Sequence, residues 1–176
     1  PSDDYDPGVA LGNYIGSMGP QCKSGGCGVA DMYEFNCSRT DLGYSWSPDA
    51  GDTTNPRDLR GVFNRLGAKI NFAGVRDGLS NTIFVGESLI STHDHLTNQH
   101  WAHFNNGVAG EATTIIPINQ TIWDTNVSDC NDNRGGNLTP RNWAVSWGFR
   151  SNHTSGAMFL FGDGAVRFLN QNIDTA

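Results

Sequence analysis

Long apolar runs are missing from this 176-residue chain. The longest uninterrupted one is AMFLF at residues 157–161, far short of the ~20 residues that carry a helix across a bilayer. Charge is scarce too: charged residues make up 16% of the chain, and 11 Lys and Arg against 18 Asp and Glu leave a formal net charge of −7. With so few basic residues, and those scattered, neither a nucleic-acid surface nor a face for anionic membranes is expected, because both need clustered Lys and Arg. There are no heptads, no internal repeats and no amphipathic helix longer than about two turns, which excludes a coiled coil or helical bundle. The Gly-x-Ser-x-Gly elbow of the serine hydrolases and the Gly-x-Gly-x-x-Gly dinucleotide loop are both absent. Cys-x-x-Cys is absent as well, which speaks against a zinc cage. A secretory signal peptide is not seen, and the chain opens on PSDDYDPG without an initiator Met, so an upstream piece is expected to have been removed or left out.

What is present is small and polar. The chain holds 22 Gly, and Asn, Ser and Thr are plentiful, a composition typical of loop-rich extracellular β domains. The length suits one domain. Residues 1–61 are mostly turn punctuation, as in NYIGSMGP, CKSGGCG and WSPDAGDTTNP. Loops of that length need a restraint, and the cysteines offer one. Of the three pairings open to Cys22, Cys27, Cys37 and Cys130, the favoured one joins Cys22 to Cys27 across CKSGGC and Cys37 to Cys130. The second link closes a long loop and would contribute roughly 4–5 kcal/mol on the chain-entropy model. Four buried thiols are the alternative; disulfides would place the protein outside the reducing cytosol.

Residues 62–176 read as the sheet-forming part. Ile70 and Phe72 alternate with Lys69 and Asn71 as a half-buried strand, and TIFVGE reads as a buried one. Between them Asp77 could cap a short helical turn, with a tight turn at Gly78 the alternative. GEATTIIPIN and QTIW look like short extended pieces. AMFLF and AVRFL, joined through Gly162-Asp163-Gly164, form a hairpin whose turn favours small residues at positive φ. Along such a hairpin a five-residue strand spans about 17 Å. His153, which precedes the first strand, should therefore lie too far from Asp163 to form a catalytic dyad. His153 is expected to anchor the chain where it enters the sheet, and Asp163 and Gly164 to serve the turn.

Chemistry-bearing clusters are weak. His93 and His95 flank Asp94 as a His-x-His pair that a strand would point to one face, with Glu87 as a third metal ligand; a solvated polar loop is the plainer reading. Asp129, Asn131 and Asp132 could donate oxygens to calcium, although no EF-hand loop surrounds them. Glu87 with Glu111 or Asp163 would satisfy the paired-carboxylate requirement of a glycosidase, as would many pairs in so acidic a chain. Trp46, Trp101 and Trp123 would serve as sugar platforms if exposed. Asn-x-Ser/Thr triplets begin at Asn36, Asn119, Asn126, Asn137 and Asn152, leaving glycan attachment a minor reading.

Three separated motifs are more specific than any of these. DGLSNTIFVGE at 77–87, WGFRSNH at 147–153, and His153 followed after nine residues by Asp163-Gly164 and AVRFLNQNID together resemble a large family of unknown biochemical function found chiefly in planctomycete bacteria. NYIGSMGP at 13–20 and PSDD at 1–4 are similar to its earlier segments. Members of that family carry a prepilin-type amino-terminal helix, which is absent from this sequence. The resemblance implies an exported, pseudopilin-like domain with an α+β, β-rich fold: an antiparallel sheet ending in a carboxyl-terminal hairpin, with few short helices. It brings no reaction and no catalytic residue. The expected function is that of a noncatalytic structural protein, a self-associating subunit of an extracellular filament, tubule or cell-surface assembly. A carbohydrate- or calcium-binding module and a secreted metal-dependent hydrolase are the alternatives; no cofactor other than calcium is expected.

Overall fold

A computed structural model describes residues 12–22, 51–93, 96, 110–122 and 142–173. Among them five strands form one sheet in the order β3-β1-β2-β4-β5. They are β1 (Tyr14–Ser17), β2 (Ile83–Glu87), β3 (Glu111–Ala112), β4 (Gly156–Phe161) and β5 (Val166–Asn170). One turn of α-helix, α1 (Trp143–Ser146), and one-turn 3-10 helices at Pro56–Asp58, Phe72–Gly74, Leu79–Asn81 and Ile90–Thr92 complete the described elements. The β-rich α+β class expected from the sequence is the class observed. No helix among the described residues is long and apolar enough to cross a membrane.

The sheet is mixed rather than antiparallel throughout. β1–β2, β2–β4 and β4–β5 are antiparallel, but β1 and β3 run parallel with Gly16 beside Glu111 and Ser17 beside Ala112. β1 has no local hairpin partner on its second side, and a distant segment fills it: Gly16 N–H donates to Gly110 O and Met18 N–H to Ala112 O. It also comes from the stretch read as loops, because four residues between turn signals are too few to show a period. The extended reading of GEATTIIPIN shrinks to two residues; Thr114, Ile115 and Ile116 form bends.

The hairpin is the expected one. Phe161 N–H donates to Ala165 O, Gly164 N–H to Phe161 O, and Gly164 takes φ 86°, so the three-residue loop closes with its last residue left-handed. A side chain there would be strained, whereas glycine is not. Asp163 secures the turn by accepting from Ala165 N–H at 2.9 Å through Oδ1.

Two expectations fail locally. Lys69–Phe72 is not a strand: Asn71 caps the 3-10 turn Phe72–Gly74 by accepting from Gly74 N–H, and Phe72 is 67% exposed. With Gly74 two residues on and an Asn able to cap, turn chemistry overrides the short alternation. Asp77 does not cap the next turn either; Gly78 holds the N-cap position at φ 84° without a side-chain bond.

Residues paired across strands share a face. Ile15, Gly86, Ala157, Phe159 and Leu169 point inward, where Leu96, Ala112, Phe149 and Phe161 complete the main cluster. Trp147, Met18 and Ile116 form a second one beside it.

Candidate functional site

The three motifs that stood out in the sequence meet at one place, the junction of β2, β4 and the segment following α1. Its centre is Gly86. A Cβ there would lie 2.5–2.7 Å from ring carbons of Phe149 and Phe159, and those two rings meet edge to face with centroids 5.0 Å apart. Glycine is thus required by close approach: any side chain would displace one of these two buried rings.

Beside it, Glu87 ends β2 and joins the other two motifs. Its Oε2 accepts from Met158 N–H of β4 at 2.8 Å, its Oε1 lies 3.4 Å from His153 Nε2, and its backbone O accepts from Arg150 N–H at 2.9 Å. The carboxylate thereby takes a β4 amide that the ladder leaves open, because the Glu87 carbonyl has turned to the entering chain at Arg150. Glu87's side chain is 13% exposed and His153's 58%. Such a half-solvated pair contributes little by itself, and the amide bond is the stronger tether.

Arg150 is the residue that sequence reasoning missed. It lies in WGFRSNH, is only 3% exposed, and spends its guanidinium on carbonyls: Nε on Gln120 O, Nη1 on Ser146 O and Gly148 O, Nη2 on Val145 O. Two of these belong to α1, so Arg150 satisfies orphan carbonyls at a helix too short to satisfy them itself. The available signal was an Arg surrounded by Trp147, Gly148 and Phe149, a cation in an apolar neighbourhood that needed partners. Asn119 was missed in the same way. At φ 60° it accepts from Ser151 N–H and donates to Gly156 O and Gln171 Oε1, so its amide ties the motif to the start of β4. Those bonds use the nitrogen a glycan would occupy.

Of the metal ligands suggested by sequence, His93 is fully buried. Its Nε2 lies 3.1 Å from Glu111 O, its Nδ1 accepts from Leu96 N–H at 3.4 Å, and its ring packs 5.1 Å from that of Trp147. Glu87 is directed at Met158 and His153 instead. His95 lies outside the described residues, among which no group of three metal-ligating side chains gathers. Asp163 is bound to Ala165 and pairs with Arg167 at 3.5 Å. His153 and Asp163 therefore serve opposite ends of β4 with different partners, as the hairpin argument requires. Glu87 and Asp163 are separated in the same way, and Glu111 is 5% exposed. Cys22, fully buried beside Ile115, is disulfide-bonded. Cys27, Cys37, Cys130, the calcium candidates Asp129, Asn131 and Asp132, and Trp46, Trp101 and Trp123 lie outside the described residues.

The opposite face of the sheet is different in kind. Across β1, β2, β4 and β5 the register aligns Gly16, Val85, Leu160 and Val166, with Tyr14, Glu87, Met158 and Phe168 one row along. The ring of Phe63 lies on Gly16, where a Cβ would meet it at 2.5 Å. Tyr14 is 63% exposed, Val166 61%, Phe168 45% and Phe63 41%. Apolar side chains thus line four strands on this face, exposed at Tyr14, Val166 and Phe168 and half-buried at Val85, Met158 and Leu160, with Glu87 among them. On the inner side a cavity of about 300 Å³ lies between Ile116, Phe149, Phe159 and Leu169, with Arg60 and Asp77 among its polar lining.

A β-rich sheet domain pinned by three motif segments, with a partly exposed apolar face, is what geometry alone defines. The chain belongs to the family described as "Protein of unknown function (DUF1559)", whose model matches residues 8–176. No curated protein and no solved structure matches it.

Proposed function

We propose that the protein is a noncatalytic, exported structural component of pseudopilin-like character, a subunit that associates with itself in an extracellular or cell-surface assembly. The observation that carries this reading is the outer sheet face, where Tyr14, Val166 and Phe168 stand exposed in line with Val85, Met158 and Leu160. Contiguous apolar surface rimmed by polar residues marks an interaction site far more often than a solvent face. The polar groups that invited catalytic readings support it from the other side. Glu87 and Arg150 are engaged in holding one segment to another, and Asp163 in closing its own turn.

Sedimentation velocity over a concentration series from about 5 µM to about 500 µM, with electron microscopy of the same samples, tests the proposal. Growth of the sedimenting species with concentration is expected. Dispersed monomers throughout would sink it.

A further inference from the structure

Among the described residues the sheet ends at β5, with no strand paired to its outer edge. In the β4–β5 ladder Gln171 N–H donates to Ser155 O and Phe161 N–H to Ala165 O, so with the observed register the odd-numbered residues of β5 turn their backbone groups to β4. The even-numbered ones, Val166, Phe168 and Asn170, turn theirs outward. Among the described residues only Asn170 finds outward partners: its O accepts from Ile173 N–H and its Oδ1 from Asn172 N–H. Val166 and Phe168 present an N–H and a C=O each, and they also carry the exposed apolar side chains of the outer face. Neither a Pro nor a bulge blunts this edge, and its one inward-facing charge, Arg167, is taken up by Asp163 and the Phe161 ring.

We infer that β5 is the contact by which two copies of this chain join, pairing antiparallel with β5 of a second copy about a two-fold axis at Phe168. The inference rests on the self-association proposed above and specifies its geometry. Three features favour a second copy as the occupant.

The first is self-complementarity. An antiparallel edge offers donor and acceptor alternately in a pattern that a two-fold rotation matches to itself. With Phe168 on the axis, its N–H and C=O bond those of the partner's Phe168, and Val166 faces the partner's Asn170.

The second is charge. The chain as a whole carries −7, which opposes association, but β5 contains no acidic residue, and its one charge, Arg167, already pairs with Asp163 and lies over the Phe161 ring at 4.5 Å. This edge therefore meets its copy with little repulsion. The Phe168-centred register also sets Arg167 opposite the partner's Leu169, whereas centring on Arg167 would oppose two like charges.

The third is continuity. The Phe168 ring lies across Gly156, where a Cβ would meet it at 2.6 Å. It is thus held flat on the outer face, and pairing two copies joins their apolar stripes into one surface.

Amide hydrogen exchange of the full chain, followed at about 5 µM and about 500 µM, reads this contact directly. Val166 and Phe168 amides should exchange at least tenfold more slowly at the higher concentration, while those of Arg167 and Leu169, paired to β4, stay protected at both. In sedimentation, Phe168→Pro removes the outward N–H without touching the β4 ladder and should weaken association at least tenfold, whereas Phe168→Val should keep it within about threefold. Association of Phe168→Pro at the wild-type level, or of the wild type without protection of Val166 and Phe168, would overturn the β5 contact and leave self-association standing. Protection of these amides that does not change with concentration would assign the edge to another part of the same chain and overturn the second copy as occupant. A wild-type protein monomeric at every concentration would remove both proposals.

Discussion

Gly86 has no room for even a methyl group, because Phe149 and Phe159 both stand within 2.7 Å of where it would go. Gly86→Ala is expected to destabilise the protein by about 1–3 kcal/mol through overpacking, measured as a lowered midpoint in denaturant at unchanged slope. Glu87 and His153 make a second comparison at this scale. Glu87→Ala leaves the Met158 amide without its acceptor and should cost about 1–3 kcal/mol, while His153→Ala should cost about 1 kcal/mol or less, since that imidazole is largely solvated. Equal and large losses from the two would point to a role for the pair beyond tethering. The sequence placed Asp163 in the turn it secures, but it did not pair His153 with Glu87. Which partner a polar group finds depends on segments far away in the chain, and no local pattern encodes that.

At the level of elements, α1 depends on a residue outside it. Four residues cannot form a self-sufficient helix, and Arg150 supplies the missing donors at its carboxyl end. Arg150→Met is expected to cost about 2–4 kcal/mol by leaving buried carbonyls unpaired, and Arg150→Lys to recover less than half of it, because an ammonium cannot span the same fork. Thermal unfolding followed by near-ultraviolet circular dichroism, which reports Trp143 and Trp147, checks both. The hairpin stands on its own turn instead. Gly164→Ala should cost about 1 kcal/mol from the positive φ alone, with Gly164→Asn milder. This contrast explains what could be read in advance: β4 and β5 were legible because their pairing is local and their loop announces itself, whereas α1 and β1 were not, since distant groups complete them.

For the whole molecule, charge and apolar surface act against each other. Copies carrying −7 repel at long range, and salt screens that repulsion while leaving apolar and backbone contacts intact. Raising ionic strength from about 0.05 M to about 0.5 M should therefore strengthen self-association. Lowering the pH toward the sequence pI near 5.0 should act in the same direction. A sedimentation series in salt and pH measures both, and weakening by salt would mean that ion pairs, not the outer sheet face, carry the contact.

Sequence by itself determined the β-rich class, the closing hairpin with its glycine turn, the acidic and loop-rich surface, and membership in a family of unknown function. Each follows from composition or from residues near one another in the chain. Tertiary structure alone decided that β1 would take a parallel partner in β3, that Glu87 would hold His153 and Met158, and that Arg150 would finish a helix. It also decided which apolar side chains of the sheet stand exposed. The physical reason is the same in every case: local backbone preferences fix a turn or a strand over a few residues, but burial and hydrogen-bond satisfaction are settled only when distant segments pack.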